Sequence, residues 1–138
     1  MDIVELGNLR AAAAKVAGEL VCSAECAAGT VAAALLTSSG QVFTGICIDA
    51  RCSLGFCAEH AAIAEMLKHR QTRILALAAV RAGGEVLPPC GRCRELIRQV
   101  DSGNWATEIL VTEGRIETLS SLMPFAAPAL PVSAGGSL

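Results

Sequence analysis

The sequence predicts an α/β domain in which helices cover a mixed β-sheet. Three observations support this class. Apolar residues near the start of the chain recur at three- and four-residue steps, which is typical of a helix. Residues 74–80 are almost wholly apolar, as in a strand that is buried on both faces. Helix-like and strand-like segments alternate after an early hairpin, which favours a sheet with helices packed on it.

The first half of the chain is predicted to form a helix, a hairpin and a second helix. The first helix is expected over about residues 2–25, because it contains a run of four alanines, which favour helix formation. The hairpin joins apolar runs at residues 31–38 and 41–49 through a turn at Ser39-Gly40. The second helix is expected over about residues 57–70, since Lys68, His69 and Arg70 suit its C-terminal end.

The second half is predicted to continue with a strand, a helix, a strand and a short helix. These are expected at residues 74–80, about 90–100, 108–112 and 118–123. Residues 129–138 are predicted to form a loose tail. The whole chain, residues 1–138, is predicted to be a single domain because its length fits one compact core.

The composition excludes several classes of protein. Of 138 residues, 53% are hydrophobic and 17% are charged, which excludes intrinsic disorder. The net charge is −2, so a basic surface that binds duplex nucleic acid is not expected. No uninterrupted apolar run reaches the roughly 18 residues of a membrane span. We therefore expect no nucleic acid duplex and no membrane among its partners.

The seven cysteines do not predict a disulfide scaffold. Their number is odd, the acidic start of the chain lacks the basic segment of a secretory signal, and the length suffices for a core without crosslinks. We expect a cytoplasmic protein with reduced thiols. In that compartment cysteines bind metal, take part in catalysis or pack in the core.

Two segments carry the chemistry, each at the start of a predicted helix. They are Cys57-Ala58-Glu59 and Pro89-Cys90-Gly91-Arg92-Cys93. Cys90 and Cys93 supply two thiolates from one turn, and Cys57 can be the third ligand of a tetrahedral zinc ion. Three protein ligands leave the fourth position open, which is typical of a catalytic zinc. We therefore predict one Zn²⁺ per chain.

Charged residues near the cysteines complete this pattern. Arg92 and Arg94 can offset the negative charge of three thiolates on one zinc ion. Glu59, two residues after Cys57, is turned away from that ligand's direction and is free to transfer protons. Cys-x-Glu followed about thirty residues later by Pro-Cys-x-x-Cys matches the signature of zinc deaminases, with a cysteine in place of the first histidine.

The chain resembles the cytidine deaminase superfamily, in the small cysteine-rich branch that contains tetrameric cytidine deaminases and blasticidin S deaminases. The similarity covers about residues 31–124. The matching motifs fall in the family's order and are Phe43-Thr44-Gly45, Cys57-Ala58-Glu59, Pro89-Cys90-Gly91-Arg92-Cys93-Arg94 and Leu122-Met123-Pro124. The resemblance implies a three-layer αβα sandwich around a five-stranded mixed sheet. It also implies a homotetramer, or a dimer, with sites completed by neighbouring subunits.

The resemblance further implies hydrolytic deamination of a cytosine-like nucleoside or base by water, with release of ammonia. Glu59 would transfer protons between the water, the ring nitrogen and the leaving ammonia. The backbone N–H of Ala58 and the carbonyl of Pro88 would hold the edge of the ring. Phe43 is a further expected substrate contact.

Several positions depart from the family's pattern. Cys47 and Asp49 stand where relatives carry the Asn and Glu that grip the ribose. Gly29 stands where a pocket aromatic is usual, and a second one aligns near Ala127, close to Phe125. His60 replaces an arginine and is expected, with Arg92 and Arg94, to support the site. These changes keep the reaction type and leave open whether the substrate is a nucleoside with an altered sugar, a free base or another cytosine compound.

Other interpretations of the cysteines remain. The three could be buried free thiols, a redox Cys-x-x-Cys pair, or a structural zinc site with Cys52 as its fourth ligand. Within the family, a blasticidin S-type deaminase is one alternative. A non-catalytic binding subunit stabilised by zinc is another. Cys22, Cys26, Cys47 and Cys52 are expected to be packing or loop residues, and Trp105 to be a core or subunit anchor.

Overall fold

The computed structural model describes residues 3–128 of the chain. The predicted loose tail, residues 129–138, lies outside the described residues. The elements, in chain order, are α1 Ile3–Val16, β1 Leu20–Ser23, β2 Cys26–Thr37, β3 Val42–Ala50, α2 Ala58–Lys68, β4 Ile74–Arg81, β5 Val86–Leu87, α3 Gly91–Val100, a 3-10 helix Ser102–Ala106, β6 Glu108–Thr112, β7 Arg115–Thr118 and α4 Leu119–Leu122.

The described strands form one mixed sheet of seven strands, which corrects the predicted number of five. Five of these strands lie side by side in the order β3–β2–β4–β6–β7. Only the β4–β6 pair is parallel among the described strands. The two additional strands are short: β1 extends the β4 side of β2, and β5 extends the β6 side of β4. The predicted class, a mixed α/β fold, is confirmed.

The first helix is shorter than predicted. It ends at Val16, whereas the prediction carried it to about residue 25. The N–H of Gly18 donates to the carbonyl of Gly29 at 2.8 Å, and the chain then turns into β1. Leu20 continues the apolar spacing of the helix, but it lies on an exposed strand that pairs with β2. Pairing in a tight hairpin with the next strand, β2, therefore overrides the local helical pattern.

Two apolar cores separate the sheet from its helices. One lies between the sheet and α1, which buries Leu6, Leu9 and Ala13 there. The other lies between the sheet and the layer that contains α2, α3 and α4. Side chains of β2 and β4 alternate between the two cores. Those that face α1 are mostly alanine, which lets α1 approach the sheet closely, whereas Leu35, Ile74 and Leu77 fill the core on the other side. The result is the three-layer arrangement that the resemblance implies.

Gly45 sets the distance between α2 and the sheet. A Cβ at this position of β3 would collide with the backbone of Ala58 and Ala62 in α2. The Phe43-Thr44-Gly45 motif thus has a physical reason, because a side chain at Gly45 would push α2 away. Since α2 begins immediately after Cys57, this contact positions the site described below.

Candidate active site

Three thiols from two helix starts meet at one point. Cys57 and Cys90 are the N-cap residues of α2 and α3, and Cys93 lies in the first turn of α3. The Cys57 and Cys90 Sγ atoms are 3.5 Å apart, those of Cys90 and Cys93 are 3.4 Å apart, and all three lie within 4.8 Å of one another. Tetrahedral zinc with Zn–S bonds of about 2.3 Å separates its sulfur ligands by roughly 3.8 Å. The three cysteines therefore fit the ligand set of a zinc ion.

The thiol pKa values show why this cluster needs a cation. Burial, followed by the charge of Glu59, raises the pKa of Cys93 far above its usual range. Burial and the neighbouring Cys90 also raise the pKa of Cys57. Burial opposes ionisation of Cys90 as well, but hydrogen bonds from the Cys93 backbone, the Cys93 and Cys57 side chains and the Arg92 backbone lower its pKa. Three thiolates so close together repel one another unless a metal dication balances them.

Glu59 is a buried carboxyl beside this cluster. It lies in the first turn of α2 and is only 4% exposed. Burial raises its pKa, so its proton is released closer to neutral pH than that of an ordinary glutamate. Glu59 borders the same cavity as Cys57 and Cys90. A buried carboxyl next to a metal-binding cluster has the environment of a general acid and base.

The cavity has a volume of about 610 Å³ and receives residues from both helix starts and from β2 and β3. Among the predicted substrate contacts, the structure brings Ala58, Pro88, Cys47 and Asp49 to its lining. Its size is that of an ordinary small-molecule site.

Phe43 is not brought to this cavity, in contrast to its predicted role. It is 7% exposed in the core beneath α2, and its ring centroid lies 5.0 Å from that of His69. Phe43 and Cys47 face the same side of β3, but they are four positions apart along the strand. The strand therefore carries Phe43 to the C-terminal end of α2, whereas the cavity lies at the N-terminal end.

Arg94 and His60 also lie outside the cavity lining. The guanidinium of Arg94 donates from Nε to the Pro89 carbonyl and from Nη1 to the Leu122 carbonyl. His60 borders a separate groove of about 400 Å³ beside α3, and burial together with the Arg92 charge lowers its pKa. Arg92 itself borders both the cavity and this groove.

Sequence reasoning missed several residues of the cavity, including Thr30 on β2 and Phe56 in the segment before α2. Phe56 is an aromatic wall residue that the motif pattern does not indicate. Its backbone pairs with Ile48 of β3, and this pairing brings it to the cavity. Thr30 reaches the cavity through an irregularity of β2 at Gly29, and the sequence does not show to which side this irregularity turns Thr30.

The structure also shows where the other positions that depart from the family pattern lie. Gly29 has a φ of +85°, and a Cβ there would collide with the Gly18 carbonyl, so no aromatic side chain fits at this position. Phe125 and Ala127 are exposed and do not line the cavity. Cys52 lies in an exposed turn outside the three-cysteine cluster, which gives no support to the four-ligand structural zinc.

None of the helices in the described part is long and apolar enough to cross a membrane.

Comparisons with known proteins agree with this geometry. The cytidine and deoxycytidylate deaminase zinc-binding region matches residues 8–108. A cytidine deaminase from Mycobacterium tuberculosis is 35% identical over 96 residues, which cover 68% of this chain and 69% of that protein. The crystal structure of the cytidine deaminase from M. tuberculosis gives a TM-score of 0.76 at 33% identity and covers 91% of this chain and 98% of that chain. That of the cytidine deaminase from Burkholderia pseudomallei gives 0.69 at 28% identity, with coverages of 92% and 100%.

Proposed function

The chain belongs to the family of zinc-binding cytidine and deoxycytidylate deaminases, and we propose that its substrate is a free cytosine nucleoside, cytidine or 2′-deoxycytidine. As a member of this family it is a zinc-dependent hydrolytic deaminase. The observation that carries the proposal is the shared cavity of the three-thiol cluster and the buried Glu59. The cavity offers room for a ring and an attached sugar beside these groups.

Cys57, Cys90 and Cys93 would hold the zinc ion. When bound, zinc acts as a Lewis acid and makes a water molecule nucleophilic near neutral pH. The helix N-termini at Cys57 and Cys90 add partial positive charge, which stabilises the thiolate forms of both ligands.

Glu59 would carry the protons. Its carboxylate Oε atoms would accept the first proton of the attacking water and pass it to the ring nitrogen, then accept the second proton, from the hydroxyl left on the attacked carbon, and deliver it to the leaving amine. Its raised pKa suits both the uptake and the release of a proton near neutral pH. Burial also keeps bulk water from competing for those protons.

The walls of the cavity would orient the substrate. The Ala58 N–H and the Pro88 carbonyl are the expected partners of the ring's polar edge. Phe56 offers an aromatic surface on the same cavity, and Cys47 and Asp49 stand where the attached sugar is expected. Arg94 would act indirectly, by holding the Pro89 carbonyl next to Cys90.

We infer further properties of the whole molecule. The chain is proposed to be a single-domain cytoplasmic enzyme of pyrimidine salvage and to assemble as a homotetramer, or a dimer. Large apolar side chains that are exposed in the isolated chain, such as Leu20, Val21 and Leu54, support burial between subunits. Native mass spectrometry at micromolar concentration tests the assembly, and a monomeric mass would contradict it.

The two alternatives are not favoured. The relatives named above are cytidine deaminases, not blasticidin S deaminases. A non-catalytic zinc-stabilised subunit has no use for a buried carboxyl beside the metal. A screen of ammonia release over cytidine, 2′-deoxycytidine, cytosine and blasticidin S discriminates these possibilities.

The decisive experiment combines metal content with turnover. Purified protein should contain about one zinc per chain and release ammonia from cytidine or 2′-deoxycytidine. Glu59→Gln should keep the zinc and lose at least about 10²-fold in kcat. Glu65→Gln, on the exposed side of the same helix, is the control and should retain activity. Wild-type turnover by Glu59→Gln would contradict the mechanism.

A further inference from the structure

A β-bulge on β2 turns Thr30 into the active-site cavity. Between two regularly paired positions, residues 29–31 of β2 lie opposite the one residue Cys47 of β3. Neighbouring residues of a regular strand point to opposite faces, yet Thr30 and Val31 both border the cavity. Bulges next to active sites commonly re-aim a side chain in this way.

Gly29 fixes the bulge in place. Its φ of +85° lies in a region that residues with a Cβ rarely adopt. Its carbonyl accepts a hydrogen bond from the Gly18 N–H at 2.8 Å, and this close approach leaves no room for a side chain at position 29. The backbone at Gly29 therefore sets the direction in which the Thr30 side chain leaves the strand.

Thr30 connects two residues that stand where relatives hold the sugar. Its Oγ1 lies 3.3 Å from Cys47 Sγ and donates to Asp49 Oδ2 at 3.3 Å. The Cys47 sulfur accepts the Val31 N–H at 3.3 Å, and this residue is largely buried where it borders the cavity. Asp49 is exposed on the cavity wall. A carboxylate has about four acceptor sites, so Asp49 can bind a substrate hydroxyl while Thr30 holds it.

We propose that Thr30 is a positioning residue that determines substrate specificity, because it fixes the Asp49 carboxylate to accept hydrogen bonds from sugar hydroxyls. This rests on the proposed function and narrows it to neutral nucleosides that carry those hydroxyls. Among the described residues that line the cavity, Arg92 is the one basic side chain, and it lies in the zinc-binding turn of α3. A nucleoside phosphate would therefore meet the charge of Asp49 without a cation from the strands to balance it.

The test compares kcat/KM for cytidine, 2′,3′-dideoxycytidine and deoxycytidylate. The wild type should prefer cytidine to 2′,3′-dideoxycytidine by about 10-fold or more, since a lost hydrogen bond to a charged group costs that much. It should also prefer cytidine to deoxycytidylate, because the phosphate would meet the charge of Asp49. Thr30→Val and Asp49→Asn should lower kcat/KM for cytidine by about 10-fold, chiefly through KM. Both should change the value for 2′,3′-dideoxycytidine by less than about twofold.

Two matched variants distinguish the loss of Asp49 positioning from general damage to the fold. Thr30→Ser keeps the hydroxyl and should retain the preference for cytidine. Thr44→Val removes a hydroxyl from β3 outside the cavity lining and should leave all three substrates unchanged. If Thr30→Val fails to fold, Asp49→Asn, at an exposed position, still measures the loss of discrimination.

Several results would overturn the proposal. They are equal loss with cytidine and 2′,3′-dideoxycytidine in Thr30→Val, unchanged discrimination in Asp49→Asn, loss of the preference in Thr30→Ser, and a wild-type preference for deoxycytidylate. Ammonia release by the wild type from any cytosine nucleoside supports the proposed function whatever the variants do. Absence of release from every compound would contradict both.

Discussion

Arg94 donates a hydrogen bond from Nε to the Pro89 carbonyl oxygen at 2.9 Å, immediately before Cys90 of the three-cysteine cluster. Its Nη1 also donates to the Leu122 carbonyl at 3.0 Å, at the end of α4. One partly buried guanidinium thus joins the turn that carries Cys90 to the end of α4. The charge of Arg94 acts on backbone carbonyls and does not contact the thiols directly.

Arg94→Ala is therefore expected to weaken zinc binding by about 10- to 100-fold, as is usual when a residue that orients a metal ligand is lost. Competition with a chromogenic chelator measures this affinity. Arg98→Ala, one turn further along α3, is the control, because Arg98 pairs with Glu95 and lies over Trp105, away from the cysteines. Equal zinc affinity of Arg94→Ala and the wild type would show that the turn holds its shape without Arg94.

Phe43 is expected to matter for stability and not for the substrate. Phe43→Leu should lower the free energy of unfolding by about 1–2 kcal/mol, because it leaves space in the core beneath α2. KM for cytidine should stay within about twofold. The matched variant Phe56→Leu changes a partly exposed ring on the cavity and should raise KM with little effect on urea unfolding. A raised KM for cytidine in Phe43→Leu, with an unchanged KM in Phe56→Leu, would instead support Phe43 as a substrate contact.

Some parts of the fold and of the candidate site could be predicted from the sequence, and others could not. Cys57, Cys90, Cys93 and Glu59 form short local motifs whose spacing is dictated by zinc chemistry, so the cluster can be inferred without coordinates. The strand at Glu108–Thr112 was predictable because it contains Ile109, Val111 and Thr112, which favour strands, and is followed by a turn signal at Gly114. Thr30 was not, because its orientation depends on a bulge that only strand pairing reveals.

The short strands were missed for a related reason. β5 has two residues and β7 has four, and both are held by pairing with longer strands. No periodicity can be detected over so few residues. The contacts of Arg94 and Phe43 likewise join segments that are far apart in the chain. The short strands and these contacts therefore depend on how separate segments pair and pack in the fold, and not on the local sequence pattern.

Gly45 is expected to tolerate no side chain. Gly45→Ala places a methyl group against the backbone of α2, which can relieve the clash only by moving. We expect a loss of about 1–3 kcal/mol in the free energy of unfolding and a lower kcat/KM, since α2 carries Glu59. Gly7→Ala is the control. Nothing lies within 4 Å of a Cβ at Gly7 of α1, so this variant should gain about 0.5–1 kcal/mol. Wild-type stability of Gly45→Ala would contradict the packing argument.

Asp101 is expected to give the fold a measurable dependence on acid. Its carboxylate accepts hydrogen bonds from the Thr72 hydroxyl at 2.7 Å and the Gly103 N–H at 2.8 Å, at the start of the 3-10 helix. The Thr72 hydroxyl, followed by the Gly103 N–H, lowers the pKa of Asp101. A group whose pKa is lowered on folding adds stability above its unfolded pKa of about 4 and loses it as the pH falls through the lower folded value.

Asp101→Asn should therefore be less stable than the wild type by about 0.5–1 kcal/mol at pH 7, and this difference should disappear by about pH 2. Urea unfolding of both proteins at pH 7, 5 and 2 measures it. Glu85→Gln, in an exposed ion pair with Arg81, is the control and should lie within about 0.5 kcal/mol of the wild type at each pH. Both Asp101 proteins lose bound metal alike in acid, so the difference between them isolates this carboxyl. A difference that persists unchanged at pH 2 would mean that Asp101 stabilises the helix start without its charge.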